Sequence, residues 1–339
     1  MEEQDMEFQN KDNIGINENG VLKELIIEPG ENKGSVAAIG GREQRNILSR
    51  LGFGLAAMAI AVIGSQYLIV LIVKQFAQGL ADTDWYVWAL TAISVVGIGL
   101  PTFYLFTRSI PELPKGEVVK LKTSKFLAIF MITAAVMYIT NFFSVFLTVL
   151  ISLIKGDDIF SLNPLMDVIS NSNMIYTMLY AAIIAPIVEE VVFRKLLLNK
   201  LRRFGDVPAI LLTAIAFGLF HMNLSQFFYA TAIGLIFAYV TIKTNTIKYS
   251  IILHIMINMI GTVVAPIATT GNIVGSLLVV LWVFLALGGG ITLFILNVKK
   301  IKLGKAAEPV ARKSVFILNA GTIVYVAICF AMIVSATLA

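Results

Sequence analysis

The chain has 339 residues, of which 58% are hydrophobic and only 14% charged, with a mean hydropathy of +0.85. That balance excludes an ordinary soluble domain and makes a lipid bilayer the solvent. The net charge of +5 does not point to nucleic acid, because the basic residues fall in short clusters between apolar runs, and the single cysteine, Cys329, excludes an intrachain disulfide and C-x-x-C metal chemistry.

Residues 1 to 41 carry nine acidic and three basic residues and no charged-then-apolar leader pattern. Segment 1–46 therefore reads as a polar, acidic, largely disordered cytoplasmic tail, in which Val21 to Ile27 form one short apolar patch. Apolar runs follow near 51 to 73, 85 to 107, 126 to 154, 174 to 203, 207 to 224, 225 to 242, 250 to 268, 273 to 298 and 315 to 338. A spanning helix needs about 20 apolar residues, since a hydrocarbon core of about 30 Å is crossed at about 1.5 Å per residue. The expected fold is all-α, a polytopic transmembrane helical bundle of about nine helices. It divides into N-terminal helices in 47–173, a core in 174–268 and C-terminal helices in 269–339.

If the tail is cytoplasmic and the helices alternate, the connections at 108 to 125, 194 to 206, 243 to 249 and 299 to 314 face the cytoplasm. They hold 18 lysines and arginines, against Lys74 and Lys155 on the opposite side. The positive-inside rule then places the N-terminus in the cytoplasm and the C-terminus outside. The outer connection 155 to 173 carries Asp157, Asp158 and Asp167. Glycines in the apolar runs, including Gly52, Gly54, Gly97, Gly99 and the group Gly288, Gly289 and Gly290, read as points of close helix packing.

Of 21 acidic residues, only Glu189 and Glu190 lie inside an apolar helix, in the run AAIIAPIVEEVVFRKLLL. A charge inside a bilayer costs at least about 2.5 to 3.5 kcal/mol, so adjacent carboxylates there require a partner, a proton or a water-filled cavity. Arg194 follows Glu190 by four residues on the same helical face and can pair with it. Glu189 points about 100° away and is the freer carboxylate. The chain has two histidines. His221 ends AIAFGLFH, and His254 begins HIMIN, with Asn258 one turn later on the same face.

If the helices flanking Gly205 form an antiparallel hairpin, Glu189 and His221 are each 16 residues from the turn and lie at similar depth. His254 is only about 12 Å past its own turn near Thr246, against about 24 Å for His221. A longer cytoplasmic projection of LNKLRRFGD closes much of that difference. A carboxylate and an imidazole can take a proton from water, and a second imidazole with an amide can donate to a developing oxyanion. Glu189 and His221 are thus assigned to water activation, and His254 and Asn258 to the oxyanion. The rival assignment makes Glu189, His221 and His254 three zinc ligands with water in the fourth position, although the spacing is not H-E-x-x-H. No other cofactor is expected.

At these residues the chain resembles the CAAX protease and bacteriocin-processing family of intramembrane endopeptidases, the abortive-infection family related to type II CAAX prenyl endopeptidases. E-E-x-x-x-R is similar to Glu189 to Arg194, F-x-x-x-H to Phe217 to His221, and H-x-x-x-N to His254 to Asn258. The match covers roughly 174 to 268. The resemblance implies a membrane-embedded peptidase cutting near the C-terminus of its substrate, either with a metal or through glutamate-activated water. The substrate it implies is a membrane-associated peptide or lipidated protein, with roles in peptide maturation or bacteriocin self-immunity in a prokaryotic plasma membrane. Membrane lipid is the other expected partner. A proton-coupled transporter and a noncatalytic immunity or scaffold protein are the alternatives.

Overall fold

The structure, a computed structural model, describes residues 40–114, 116–156, 173–267, 272–306, 310 and 312–338. The tail patch Val21 to Ile27 and the acidic residues Asp157, Asp158 and Asp167 lie outside the described residues. Among those described, every regular element is helical. In hydrocarbon the backbone must satisfy its own polar groups, and a helix does so within one segment. Each apolar run accordingly becomes a helix: α1 Gly41–Phe76, α2 Tyr86–Thr107, α3 Thr123–Lys155, α4 Met174–Phe204, α5 Asp206–Phe220, α6 Leu224–Thr244, α7 Lys248–Val264, α8 Ile273–Lys300 and α9 Ala320–Leu338.

Seven of these are long and apolar enough to cross a membrane, which makes this a multi-pass integral membrane protein. Helices α5 and α7 are the shorter apolar ones. Helix α5 has 15 residues and stops at Phe220, about 22 Å of helix against a core of about 30 Å. The first helix also begins earlier than expected, so residues 41–46 are helix rather than tail. Glu43 stands in its first turn, where a negative charge complements the exposed N–H groups.

Helices α1 to α9 belong to one compact unit, Val36–Ala339. Helix α1 packs along α2 and α9, α3 along α6 and α8, α5 along α6, and α7 against α4 and α6. The closest approach of α1 and α9 is at Gly52 and Gly321, where a β-carbon on either glycine would run into the opposing backbone. The Gly321 N–H donates to Ser49 Oγ at 3.0 Å across the same crossing. Gly321→Val should therefore force the helices apart and cost about 1–3 kcal/mol, seen as a lowered Tm of the purified protein; an unchanged Tm would show that the crossing is not tight. Gly54, Gly99 and Gly290 also face close neighbours, but Gly97 and Gly288 have open space where a side chain would stand. The packing expectation fails at those two.

The four basic connections gather at one end of the bundle. Val119 N–H donates to Thr244 O at 3.0 Å, and Lys200 Nζ reaches Ile110 O and Glu112 Oε1, each at 3.0 Å. Asp206 N–H donates to Gly304 O at 3.2 Å while Gly304 N–H donates to the Asp206 carboxylate at 2.6 Å. Alternating helix direction follows directly from these ties.

Candidate active site

Helix α4 supplies three of the polar side chains, and its local geometry aims them. The α-helical turn Ala185–Glu190 is flanked by wider π-helical stretches, Met178–Ile184 and Val191–Leu198, a departure that recurs at functional sites. Pro186 has no N–H to return to the preceding turn. The Asn258 amide supplies a donor there instead, giving Nδ2–H to Ala181 O at 2.8 Å. Asn258 thus ties α7 to α4. Asn258→Leu should leave that carbonyl unpaired and cost about 1–3 kcal/mol, measured as a loss of Tm. An undiminished Tm would count against the tie.

Glu190 and Arg194 are both completely buried, with Arg194 Nε 3.4 Å from Glu190 Oε2. The four-residue spacing read from the sequence produces this pair. The guanidinium makes no hydrogen bond with the described residues. It lies instead among three rings, 4.7 Å from the centroid of Phe217, 5.8 Å from Phe237 and 6.0 Å from Phe193. Glu190 and the negative faces of these rings together balance the buried charge.

His254 stands between the two glutamates. Its Nδ1 is 3.1 Å from Glu190 Oε1 and its Nε2 is 3.5 Å from Glu189 Oε2. A carboxylate only accepts, so both contacts are attractive when the two ring nitrogens carry protons or when a carboxyl group carries one. In the first case two carboxylates, one guanidinium and one imidazolium would sum to zero, a balance that a low-dielectric bundle favours. Glu189 differs from Glu190 in access. Its side chain keeps 19% of its exposure, whereas that of Glu190 keeps none.

His221 caps α5 at a turn where Met222 takes φ 51° and Asn223 begins the next helix by accepting Ser225 N–H at 2.8 Å. Non-helical backbone at this point in a membrane protein is tolerated where it is buried in protein or lines a wet cavity. His221 Nδ1 faces Phe217 O at 3.0 Å. A carbonyl can only accept, so Nδ1 donates, and in the neutral ring Nε2 carries the lone pair. The Phe217 ring packs edge-on to both imidazoles, at 4.9 Å from His221 and 5.6 Å from His254.

Glu189 contacts His254, and no hydrogen bond or ion pair among the described residues joins it to His221. Equal depth along the α4–α5 hairpin is not enough, because the widened turns of α4 set both glutamates against the ring that α7 brings in. Among the described residues no three His, Cys, Asp or Glu side chains are gathered so as to hold a metal. Glu189 and His254 are together, and His221 gives Nδ1–H to Phe217 O.

The sequence reading did not single out Pro186, Phe193 or Phe237. Pro186 carried a signal, since proline in a helix interior frees a carbonyl for an outside donor. The two phenylalanines carried none, because phenylalanine is common throughout these apolar helices.

Fold and site together define a multi-pass membrane protein with a buried carboxylate–imidazole centre. Residues 171–260, the segment holding every one of these polar side chains, match the family model described as type II CAAX prenyl endopeptidase Rce1-like. The resemblance read from the three motifs is to the same family. A Bacillus subtilis (strain 168) protein named "Putative membrane peptidase YdiL" is 33% identical over 79 residues, 23% of this chain and 32% of that protein. The match thus spans about a third of that relative's length. No solved structure matches the chain.

Proposed function

We propose that the protein is an intramembrane endopeptidase that hydrolyses a peptide bond of a membrane-associated peptide or lipidated protein with water activated by Glu189 and His221. The observation that carries this reading is the clamping of His254 between a buried, arginine-neutralised carboxylate and a second, partly accessible one. Water held at Glu189 and the Nε2 lone pair of His221 attacks the scissile carbonyl carbon. A C–O bond forms, the water proton passes to Glu189 or His221, and the carbonyl oxygen takes up negative charge.

Glu189 becomes neutral as it accepts that proton, which weakens its hold on His254 Nε2–H. The same N–H then turns to the new oxyanion, together with the Asn258 N–H not given to Ala181. Glu190, paired with Arg194 through its other oxygen, accepts from His254 Nδ1–H throughout. The oxyanion then re-forms the carbonyl as the C–N bond breaks and the proton passes to the leaving amine nitrogen, releasing a carboxyl product and an amine product. Peptide maturation and bacteriocin self-immunity are the roles this chemistry suits.

The test compares purified wild type with Glu189→Ala, His221→Ala and His254→Ala on a library of membrane-associated peptides, with and without chelator. Cleavage by wild type alone, indifferent to chelator, is the expected result. Equal cleavage by all four proteins would sink the assignment. Loss with chelator and recovery with zinc would replace the metal-free mechanism. Glu189-dependent proton flux without cleavage would make the protein a transporter.

A further inference from the structure

Away from the polar cluster, an open groove of about 820 Å³ runs between α1, α2 and α9, within the size range of small-molecule sites. Its walls divide by chemistry along their length. Asn46, Ser49 and Arg50 line the mouth, near the start of α1, and Phe53, Ala57 and Ile60 continue the same face of α1 into an apolar channel. Leu105, Phe106 and Val324 line it from α2 and α9. The α1 residues recur at helical spacing, so one face carries the polar-to-apolar gradient. Ala56 and Ala57 keep the channel open between the bulkier Phe53 and Ile60.

The mouth holds a fixed charge. Arg50 is exposed, and its Nε–H donates to Phe106 O at 2.8 Å, across the gap from α1 to α2. The guanidinium is thereby positioned, while its Nη groups donate no hydrogen bond to the described residues. Arg42 and Arg45 lie one to two turns earlier on α1, and Arg108 lies two residues beyond Phe106. The mouth is at the end of the bundle where the basic connections meet.

We propose that this groove is a binding site for one anionic phospholipid, with its phosphate at Arg50 and an acyl chain along Phe53, Ala57 and Ile60. Charge complementarity favours this occupant. A fixed guanidinium with unused donors presents paired N–H groups to phosphate oxygens, and the apolar channel that begins beside it suits a chain attached to that phosphate. A zwitterionic lipid offers the same chain with an opposing cation, and a free phosphate lacks the chain.

Native mass spectrometry of the full-length protein, titrated in detergent with phosphatidylglycerol or phosphatidylcholine, tests the site without reference to peptidase activity. Wild type is expected to retain one phosphatidylglycerol in preference to phosphatidylcholine. Arg50→Gln should weaken that first binding event by about tenfold, the worth of a charge-assisted hydrogen bond, and abolish the preference between lipids. Ala57→Phe, which fills the channel and leaves Arg50 in place, should weaken both lipids together. Circular dichroism and Tm establish that each variant is folded. Equal retention of phosphatidylglycerol by wild type and both folded variants would overturn the proposal. Competition by inorganic phosphate as strong as by the lipid would also overturn it, by showing an anion site without a lipid channel.

Discussion

Glu189→Gln is expected to lower cleavage of a membrane-associated peptide by at least about a thousandfold, within the range that a positioned general base supplies. The replacement keeps the size of the side chain and an oxygen that can accept from His254 Nε2, which stands 3.5 Å away. It removes the ability to take a proton from water. Because Glu189 is the more accessible of the two carboxylates, the fold should lose little, and Tm should move by no more than a few degrees, corresponding to about 1 kcal/mol. Glu190→Gln should behave in the opposite sense, losing stability first, since that side chain is fully buried between Arg194 and His254. A Glu189→Gln protein retaining more than a tenth of wild-type cleavage would shift the base role to His221.

Arg194→Met should be the most destabilising single change at the site, by about 3–5 kcal/mol, because it strands the Glu190 charge in the interior. The loss includes the cation–π contact at 4.7 Å from Phe217. The double variant Glu190→Gln with Arg194→Met removes both charges, so it should be less destabilised than the sum of the two single changes. Reversible unfolding in mixed micelles would measure the cycle. Strict additivity would show that the two charges do not interact, despite their separation of 3.4 Å.

What the sequence made legible depended on how local the determining physics was. Among the described residues each apolar run became a helix, because burial in hydrocarbon acts on each segment separately. Glu190 and Arg194 met as expected because a four-residue spacing is resolved within one helix. The partner of Glu189 was not legible, since it depends on α7 arriving beside widened turns of α4 that no residue spacing announces.

The depth of His254 was less legible, because it depends on where two turns distant in sequence meet. Arg202, twelve residues beyond Glu190, donates Nη1–H to Asn245 Oδ1 at 3.0 Å, which ties those turns together. The aromatic surroundings of Arg194 come from three separate positions, Phe193, Phe217 and Phe237. Only the second stood in a recognisable motif.

The division between Glu190 and Glu189 also sets an order of biogenesis. Glu190 finds its counter-charge on its own helix, so α4 can enter the membrane with that carboxylate already neutralised, easing an insertion that otherwise opposes each charge. Glu189 meets its partner His254 on α7, which emerges from the ribosome only after α5 and α6. Until then the nascent chain holds one carboxylate unmatched. Glu189 is thus the last of the pair to gain its partner, and the cluster is complete only when the whole segment from α4 to α7 is in place.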